Sequence, residues 1–160
     1  MPRVLVALSG GVDSCTSAHL LREEGHEIEG VFFLHSFFDQ TEDIAQVQAV
    51  ASALGISLRI LDYKEHFEAL LAEVEIEMCH LKTPNICATC ARTLKFGKLL
   101  DYALAEGFDF LATGHYLRVT SEGRIGRARD ASRDQSYHFA LVPPTRLSKI
   151  LFPLGSMLKS

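Results

Sequence analysis

The sequence lacks the long apolar runs that membrane spans and signal peptides require. The apolar run nearest the N-terminus covers only residues 4–8, which is too short for a signal-peptide core. Both absences favour a cytoplasmic protein with reduced thiols, so its four cysteines are interpreted as ligands, nucleophiles or core residues and not as disulfide bridges. The chain also has no excess of positive charge. Its net charge of −4 gives no global attraction to nucleic acid, although a local basic patch is compatible with it.

The pattern that remains is typical of a soluble α/β domain. Apolar content of 48% and charged content of 22% are ordinary for one domain of 160 residues. Predicted strands cover residues 3–8, 27–34, 57–63 and 108–113. Apolar residues at helical spacing predict helices at 13–25, 41–55, about 67–78 and about 96–107. Strands that alternate with helices imply a parallel sheet with helices on both faces.

The rest of the chain is predicted to be less regular. Residues 79–90 are expected to form a loop. We find no linker or internal repeat, so residues 1–160 are expected to form a single domain with an α/β core to about residue 117. The remainder, about 118–160, is predicted to hold short strands at 124–129 and 136–142, followed by a brief helix after two prolines.

A glycine-rich turn, Ser9-Gly10-Gly11-Val12-Asp13-Ser14, joins the first predicted strand to the first helix. Two glycines let the backbone turn sharply and approach an anion closely, and free amides at the helix N-terminus can then cradle phosphate. The turn lies at the carboxyl end of a strand, where open α/β sheets bind ligands. Its spacing is neither GxxxxGK[ST] nor GxGxxG, which argues against a dinucleotide. The glycines alone leave an ordinary strand–helix connection as the alternative.

The same six residues resemble the SGGxDS pyrophosphate loop of the ATP pyrophosphatases, enzymes that split ATP into AMP and pyrophosphate. Five further motifs occur in the order found in the tRNA 2-thiouridylases: TPNICATC (83–90), LKFG (94–97), ATGHY (112–116), DQSYHF (134–139) and LFPLG (151–155). The resemblance implies an adenine nucleotide alpha hydrolase-like fold, also called the PP-loop or HUP fold. It also implies 2-thiolation of a tRNA uridine through an adenylated intermediate, with ATP and Mg²⁺ as cofactors.

The resemblance assigns roles to individual residues. Phe33 would lie near the adenine, Gly114 would line the nucleotide site, and Asp13 would orient a metal ion or the loop. Cys90 occupies the position of a catalytic cysteine. The residues expected to hold the ATP phosphates are Ala7, Leu8, Ser9, Gly10, Gly11, Val12, Asp13 and Ser14. The residues expected to contact the tRNA are Asn85, Ile86, Cys87, Arg133, Asp134 and Gln135.

The sequence departs from the family's pattern at several positions. Ile86 and Cys87 stand where the family has proline and aspartate, and Ala91 stands where it has asparagine. The family continues into a second tRNA-binding region and a β-barrel, and that part holds its second catalytic cysteine. The 160 residues are therefore expected to correspond to the family's N-terminal domain, without the tRNA-binding barrel, either as a fragment or as a reduced relative. We expect this chain alone to hold tRNA weakly, a partner subunit or homodimer to restore RNA contact, and a donor protein or sulfide to supply sulfur.

The cysteines leave several interpretations open. Cys79, Cys87 and Cys90 could gather three soft thiolates around one loop and hold a [4Fe-4S] cluster, whereas His80 as a fourth ligand would favour zinc. Persulfide or redox chemistry at Cys87 and Cys90 is a second interpretation, and Cys79 as a core thiol is a third. A low thiolate pKa is expected for Cys90, because a helix is predicted to begin near Ala91.

Two histidines and a basic run complete the candidates. His35 and His115 each follow a predicted strand, where sites form, although a structural histidine is the commoner outcome. The basic run could meet phosphate or face solvent, and it comprises Arg124, Arg127, Arg129 and Arg133. Two alternatives to tRNA thiolation remain at this point. One is an adenylating sulfurtransferase or ligase for a small molecule, and the other is an iron–sulfur or nucleotide-binding module of a partner enzyme.

Overall fold

A parallel sheet forms the centre of the fold in a computed structural model that describes residues 1–35 and 39–159. Its strands are β1 (Arg3–Ala7), β2 (Glu27–Leu34), β3 (Leu58–Asp62), β4 (Phe110–Ala112) and β7 (Ile150–Leu151). They lie in the order β3-β2-β1-β4-β7, and every neighbouring pair is parallel. An antiparallel pair, β5 (Leu117–Val119) and β6 (Ile125–Arg127), lies outside this sheet.

Helices connect the parallel strands, because parallel neighbours require crossover connections. The helices between β1 and β3 are α1 (Val12–Glu23) and α2 (Thr41–Leu54). Those between β3 and β4 are α3 (Lys64–Cys79), α4 (Ile86–Cys90), a π-helix (Ala91–Leu99) and α5 (Leu100–Ala105). A short helix, α6 (Pro144–Leu147), precedes β7. In the part of the chain that the structure describes, no helix is long and apolar enough to cross a membrane.

The core lies on both faces of the sheet, as the alternation of β1 shows. Leu5 points into a cluster that contains Phe96 and Phe139, from the side of the π-helix. Val4 and Val6 point the other way, into a cluster that α1 and α2 cover. All five side chains are buried. Because successive residues of a strand face opposite sides, this alternation confirms the predicted sheet with helices on both faces.

Two segments differ from the prediction. Residues 86–90 are helical instead of forming a loop, because the side chain of Asn85 accepts a hydrogen bond from the Ala88 amide at 3.1 Å and caps α4. The predicted strand at 136–142 is wrong: a 3₁₀ helix covers Ser136–Phe139. Phe139 and Val142, three residues apart, are buried there while Leu141 is exposed, which is helical spacing and not strand alternation.

Two further differences concern the core and the sheet edge. The apolar residues of α3 are only partly covered: Leu70 and Val74 are buried, whereas Leu71 and Met78 are exposed. The strand β7 was not predicted. It pairs with β4 and brings the C-terminal part of the chain into the main sheet.

Candidate functional site

The turn after β1 has the conformation of an anion-binding loop. Gly10 has a φ of 76°, in the left-handed region that favours glycine. The Ser14 hydroxyl closes the loop, since it accepts from the Ser9 amide at 3.1 Å and donates to the Gly11 carbonyl at 2.9 Å. Gly11 is the N-cap of α1 and has no side chain to accept the first amides of the helix. Those amides and the helix dipole therefore favour an anion at this point.

A cavity of about 300 Å³ opens beside this loop. It lies at the carboxyl ends of β1, β2 and β4, where ligands bind in open α/β sheets. The π-helix forms the wall opposite the strands. The lining residues are Ala7, Leu8, Ser9, Asp13, Ser14, Phe32, Phe33, His35, Lys95, Leu99, Thr113, Gly114, His115 and Gln135. Of the residues expected to hold ATP, Gly10, Gly11 and Val12 do not line the cavity, and the Val12 side chain is exposed.

Gly114 lies where the end of β4 meets the loop. A Cβ at this position would come within 2.9 Å of the Asp13 carbonyl carbon and the Ser14 amide nitrogen. Any side chain here would push the start of α1 away from β4. The close approach of these two backbones therefore requires glycine, which accounts for the Thr-Gly-His sequence after the strand.

The Asp13 carboxylate is held by residues that are distant in the sequence. The Lys159 ammonium donates to both of its oxygens, at 2.7 and 2.8 Å, and the Tyr116 hydroxyl donates to one oxygen at 3.2 Å. Burial and the charge of Asp13 raise the pKa of Tyr116, so that hydroxyl remains a donor. Asp13 thus presents its carboxylate to a cation at the edge of the cavity, and the sequence contained no local signal for Lys159.

The segment after α4 is a π-helix of nine residues, Ala91–Leu99. Its i→i+5 hydrogen bonding brings the Arg92 carbonyl oxygen within 2.7 Å of the point where a Cβ of residue 97 would lie, so Gly97 is required there. Arg146 donates to the carbonyls of Phe96 and Gly97 at 3.0 and 3.4 Å, and Asp101 holds its guanidinium. The π-helix therefore requires the glycine of the LKFG motif, and Gly97 does not line the cavity.

Lys95 and His115 form a pair on the cavity wall. The Lys95 ammonium lies 3.5 Å from His115 Nε2, and His115 Nδ1 lies 2.9 Å from the Thr113 hydroxyl. Burial, with the charges of Lys95 and His138, lowers the pKa of His115 to about 3. The ring is therefore neutral at neutral pH, and because an ammonium only donates, Nδ1 carries the proton. Sequence reasoning named His115 and missed Lys95, whose only signal was its place in the LKFG motif.

Cys90 is the last residue of α4 and is partly buried against Leu70, Val74 and Leu94. Burial raises the pKa of its thiol, the charge of Lys95 opposes this, and the charge of Cys87 adds to it. The expected low pKa is therefore wrong. Two reasons explain this: the helix begins at Ile86, so Cys90 is not at its N-terminus, and the apolar neighbours disfavour a thiolate. Cys90 does not line the cavity itself.

The structure does not assemble the expected three-cysteine metal site. Cys79 is exposed at the end of α3, which also contradicts its interpretation as a core thiol. Within residues 1–35 and 39–159, no group of three or more His, Cys, Asp and Glu side chains is arranged to hold a metal ion. Cys87 is exposed on the first turn of α4, and its charge acts on Cys90. The cysteines therefore form a pair, Cys87 and Cys90, with Cys79 apart from them.

The residues expected to contact RNA are divided between exposed and structural positions. Ile86 is exposed beside Cys87, whereas Asn85 uses its side chain as the cap of α4. Asp134 accepts from the Ala128 amide and the Ser136 hydroxyl, both at 2.8 Å. Burial opposes ionisation of Asp134, but these hydrogen bonds outweigh it and lower its pKa.

Gln135 lies at the cavity, whereas Arg133 is exposed. The Gln135 side chain accepts from the Tyr116 amide at 3.0 Å and lines the cavity. In the basic run, Arg124 pairs with Glu122 at 3.3 Å, and Arg129 donates to the Ser156 carbonyl at 3.4 Å. All four arginines of the basic run are exposed, and Arg129 is bonded to the C-terminal part of the chain.

Comparisons with known proteins place this geometry in a family. The family model described as "tRNA methyl transferase HUP domain" matches residues 2–160. The chain is 46% identical to "tRNA-specific 2-thiouridylase MnmA" of Campylobacter hominis, over 98% of this chain and 43% of that protein. It is 42% identical to the protein of the same name in Akkermansia muciniphila, over 99% of this chain and 48% of that protein. The chain thus spans less than half the length of these curated relatives.

A solved structure gives an independent view of the fold. The chain is similar to a "predicted subunit of tRNA methyltransferase" from Methanocaldococcus jannaschii, with a TM-score of 0.58 and 18% identity. The match covers 96% of this chain and 68% of that chain. At this identity the similarity concerns the fold alone, and together with the family model it confirms the expected HUP-type α/β fold.

Proposed function

Because the chain belongs to the tRNA methyl transferase HUP domain family, we propose that it is the ATP-using part of an enzyme that exchanges the 2-oxygen of a tRNA uridine for sulfur. One observation carries the proposal: a single cavity is lined by residues of the loop and by Lys95 and Leu99 of the π-helix, and Cys90 directly precedes that π-helix. The name of the curated relatives, tRNA-specific 2-thiouridylase, supports tRNA as the substrate and sulfur as the group transferred.

ATP would bind with its phosphates at the loop of residues 7–14 and its adenine toward Phe33. Phe33 is a partly buried ring beside His35 and Tyr63, with centroids 5.9 and 5.8 Å away, and it offers a flat apolar surface to a base. Asp13 is the acidic side chain of the cavity wall and fits Mg²⁺, which prefers oxygen ligands and bridges phosphates. When bound, the ion would neutralise phosphate charge, and the Asp13–Lys159 pair would have to open.

The first chemical step would be adenylation of the uridine. The 2-oxygen of the base attacks the α-phosphorus of ATP, the bond between that phosphorus and the bridging oxygen breaks, and pyrophosphate leaves. The loop amides would stabilise the negative charge that develops on the departing pyrophosphate. The C2–O bond is then activated, since AMP is a better leaving group than oxide.

The second step would use the cysteine pair. A Cys90 persulfide forms when the Cys90 thiolate attacks the outer sulfur of a donor protein's persulfide and the donor's thiolate leaves. The outer sulfur of this Cys90 persulfide then attacks C2, and AMP leaves. The Cys87 thiolate then attacks Cys90 Sγ, which breaks the S–S bond, releases the 2-thiouridine and leaves a Cys87–Cys90 disulfide. A dithiol reductant returns both to thiols. Cys87, and not Cys79, is the second thiol because it lies within one turn of Cys90 on α4.

Contact with the whole tRNA is expected to need more than this chain. The net charge is −4, and the chain spans less than half of its curated relatives. Within this domain, the exposed Ile86 and the side chain of Arg133 are proposed to meet the RNA near the target base. A homodimer or a partner subunit is proposed to supply the remaining contacts.

The test is thiolation of an unmodified tRNA transcript by the purified chain with ATP, Mg²⁺, a donor protein that carries a persulfide, and a dithiol reductant. Mass spectrometry of the digested RNA should find thiouridine, and the nucleotide products should be AMP and pyrophosphate. Cys90→Ser and Cys87→Ser should abolish the thiouridine. Cys79→Ser is the matched control and should retain it, because Cys79 is exposed and apart from the pair.

Three outcomes would contradict the proposal. ADP and phosphate as products would exclude adenylation. Thiouridine that survives Cys90→Ser would exclude the cysteine pair as the route of sulfur. Pyrophosphate release that responds to a small carbonyl compound, and not to RNA, would favour an adenylating enzyme for a small molecule.

A further inference from the structure

Lys95 is the lysine of the cavity lining, which includes no arginine among the described residues. Its ammonium is 3.5 Å from His115 Nε2, the one hydrogen-bonding contact of its side chain that the structure shows. Two of its three donors are thus available to an oxygen in the cavity. The Asp13 carboxylate on the loop side already pairs with Lys159. Lys95 is therefore the cation available for an anionic ligand that lies between the loop and the π-helix.

The π-helix explains how Lys95 reaches this position. Cys90 directly precedes Ala91, the first residue of the π-helix, and Lys95 lies five residues after Cys90. In i→i+5 bonding, residue i+5 lies above residue i, whereas in an α-helix residues five apart point in different directions. The charge of Lys95 accordingly acts on Cys90, and it also acts on His115 at the cavity wall. One side chain thus borders both the cavity and the cysteine.

The surroundings keep the ammonium in place without neutralising it. His115 Nε2 is an acceptor, because its Nδ1 is a donor to the Thr113 hydroxyl, so the pair carries a full positive charge. Arg146, held by Asp101, donates to a carbonyl of the π-helix and helps to fix the helix that carries Lys95. A positioned charge of this kind costs little reorganisation when a negative group forms beside it.

We propose that Lys95 is a catalytic residue that binds the α-phosphate of ATP on the side facing Cys90, and that it stabilises the charge on this phosphate while AMP leaves. The proposal rests on the proposed function in that the cavity ligand is an adenine nucleotide. The loop amides serve the outer phosphates, and Lys95 serves the phosphate that is common to ATP, the adenylated intermediate and AMP. Lys95 therefore lies between the residues proposed to bind the nucleotide and the cysteine proposed to transfer sulfur.

The test measures binding of adenosine, AMP and ATP to the full chain by calorimetry, in the wild type and in Lys95→Met. A charge-assisted hydrogen bond to phosphate is worth about tenfold or more in affinity, so AMP and ATP should bind at least about tenfold more weakly to the variant. Adenosine has no phosphate, and its affinity should change by less than about twofold. Lys95→Arg should restore part of the lost AMP affinity, since it restores the charge.

Lys98→Met is the matched control, because Lys98 lies on the same π-helix, is exposed, and borders a different depression beside His66 and Glu73. It should bind all three ligands as the wild type does. Equal losses for adenosine and AMP in Lys95→Met, or no loss for either, would overturn the role of Lys95 and leave the nucleotide site standing. A wild type that binds none of the three would overturn the nucleotide site and this proposal together.

Discussion

Replacing Gly114 with alanine is the smallest change that tests the geometry of the candidate site. The new Cβ would lie 2.9 Å from the Asp13 carbonyl carbon and the Ser14 amide nitrogen, and 3.1 Å from the Asp13 carbonyl oxygen. Ordinary contact of a Cβ begins at about 3.4 Å, so the start of α1 must move by about half an ångström from β4. Both partners are backbone and cannot rotate away.

The magnitude follows from this shift. Overpacking of this kind costs about 1–3 kcal/mol of the free energy of unfolding, so the variant should fold with reduced stability. The displaced atoms are the amides proposed to hold phosphate, and misplacement by about 1 Å can cost about 100-fold in rate. We therefore expect ATP affinity to fall by about tenfold, which corresponds to about 1.4 kcal/mol of binding free energy.

The assay combines urea unfolding with ATP binding by calorimetry. Gly126→Ala in β6 is the control, since a Cβ there meets its nearest atom at an ordinary 3.6 Å and Gly126 does not line the cavity. It should leave ATP affinity unchanged. If Gly114→Ala binds ATP as the wild type does, the loop does not hold the phosphates in the way proposed here.

Three further predictions concern the core and the titrating groups. Phe96→Ala removes a fully buried ring that packs on Phe139, and should lower the free energy of unfolding by about 3–5 kcal/mol in urea. The pKa of His115 falls to about 3 on folding, so between about pH 6.5 and pH 3 the unfolded chain binds this proton and the folded chain does not. The free energy of unfolding should therefore fall by up to about 1.4 kcal/mol per pH unit as the pH is lowered toward 4. In His115→Gln this fall should be less steep. Because burial raises the pKa of Cys90, iodoacetamide should alkylate exposed Cys87 faster than Cys90 at pH 8, as peptide mass spectrometry would measure; equal rates would contradict the burial.

Local signals in the sequence were sufficient for the first half of the fold. The strand predicted at 27–34 is β2 with the same bounds. A strand inside a parallel sheet can be recognised from its own apolar residues. Gly55, predicted to end the second helix, does so in the left-handed conformation, with a φ of 64°. In these places the cause of the structure lies within a few residues of its effect.

The predictions of secondary structure failed where a conformation depends on residues distant in the sequence, or where a local signal was overlooked. The predicted strand at 136–142 failed because Phe139 packs on Phe96 and Phe152, contacts that only the folded chain supplies. The asparagine cap at Asn85 was a readable local signal for α4 that the loop prediction overlooked.

The sequence was sufficient to predict the loop of the candidate site, but not the residues from elsewhere in the chain that contact it. The glycines and serines of residues 9–14 form the loop through hydrogen bonds among themselves, so the local sequence is sufficient to specify the loop conformation. The cation on Asp13 comes from Lys159, which is 146 residues away, and the pairing of Lys95 with His115 joins residues 20 apart. No periodicity reports such contacts, and the expected metal site at the cysteines failed for the same reason, since Cys79 lies on a different helix.

The π-helix makes the length of one segment matter more than its composition. Removal of one residue between 91 and 96, with the i→i+5 bonding of the remaining residues kept, would rotate the α4 end relative to α5. The rotation would be somewhat less than the about 100° that one residue of an α-helix turns. The buried anchors of α5, Leu100 and Ala103, would stay in the core while Cys90 moved to another face. Substitutions in this stretch should therefore be tolerated better than an insertion or deletion, which would change the position of Cys90 relative to the cavity.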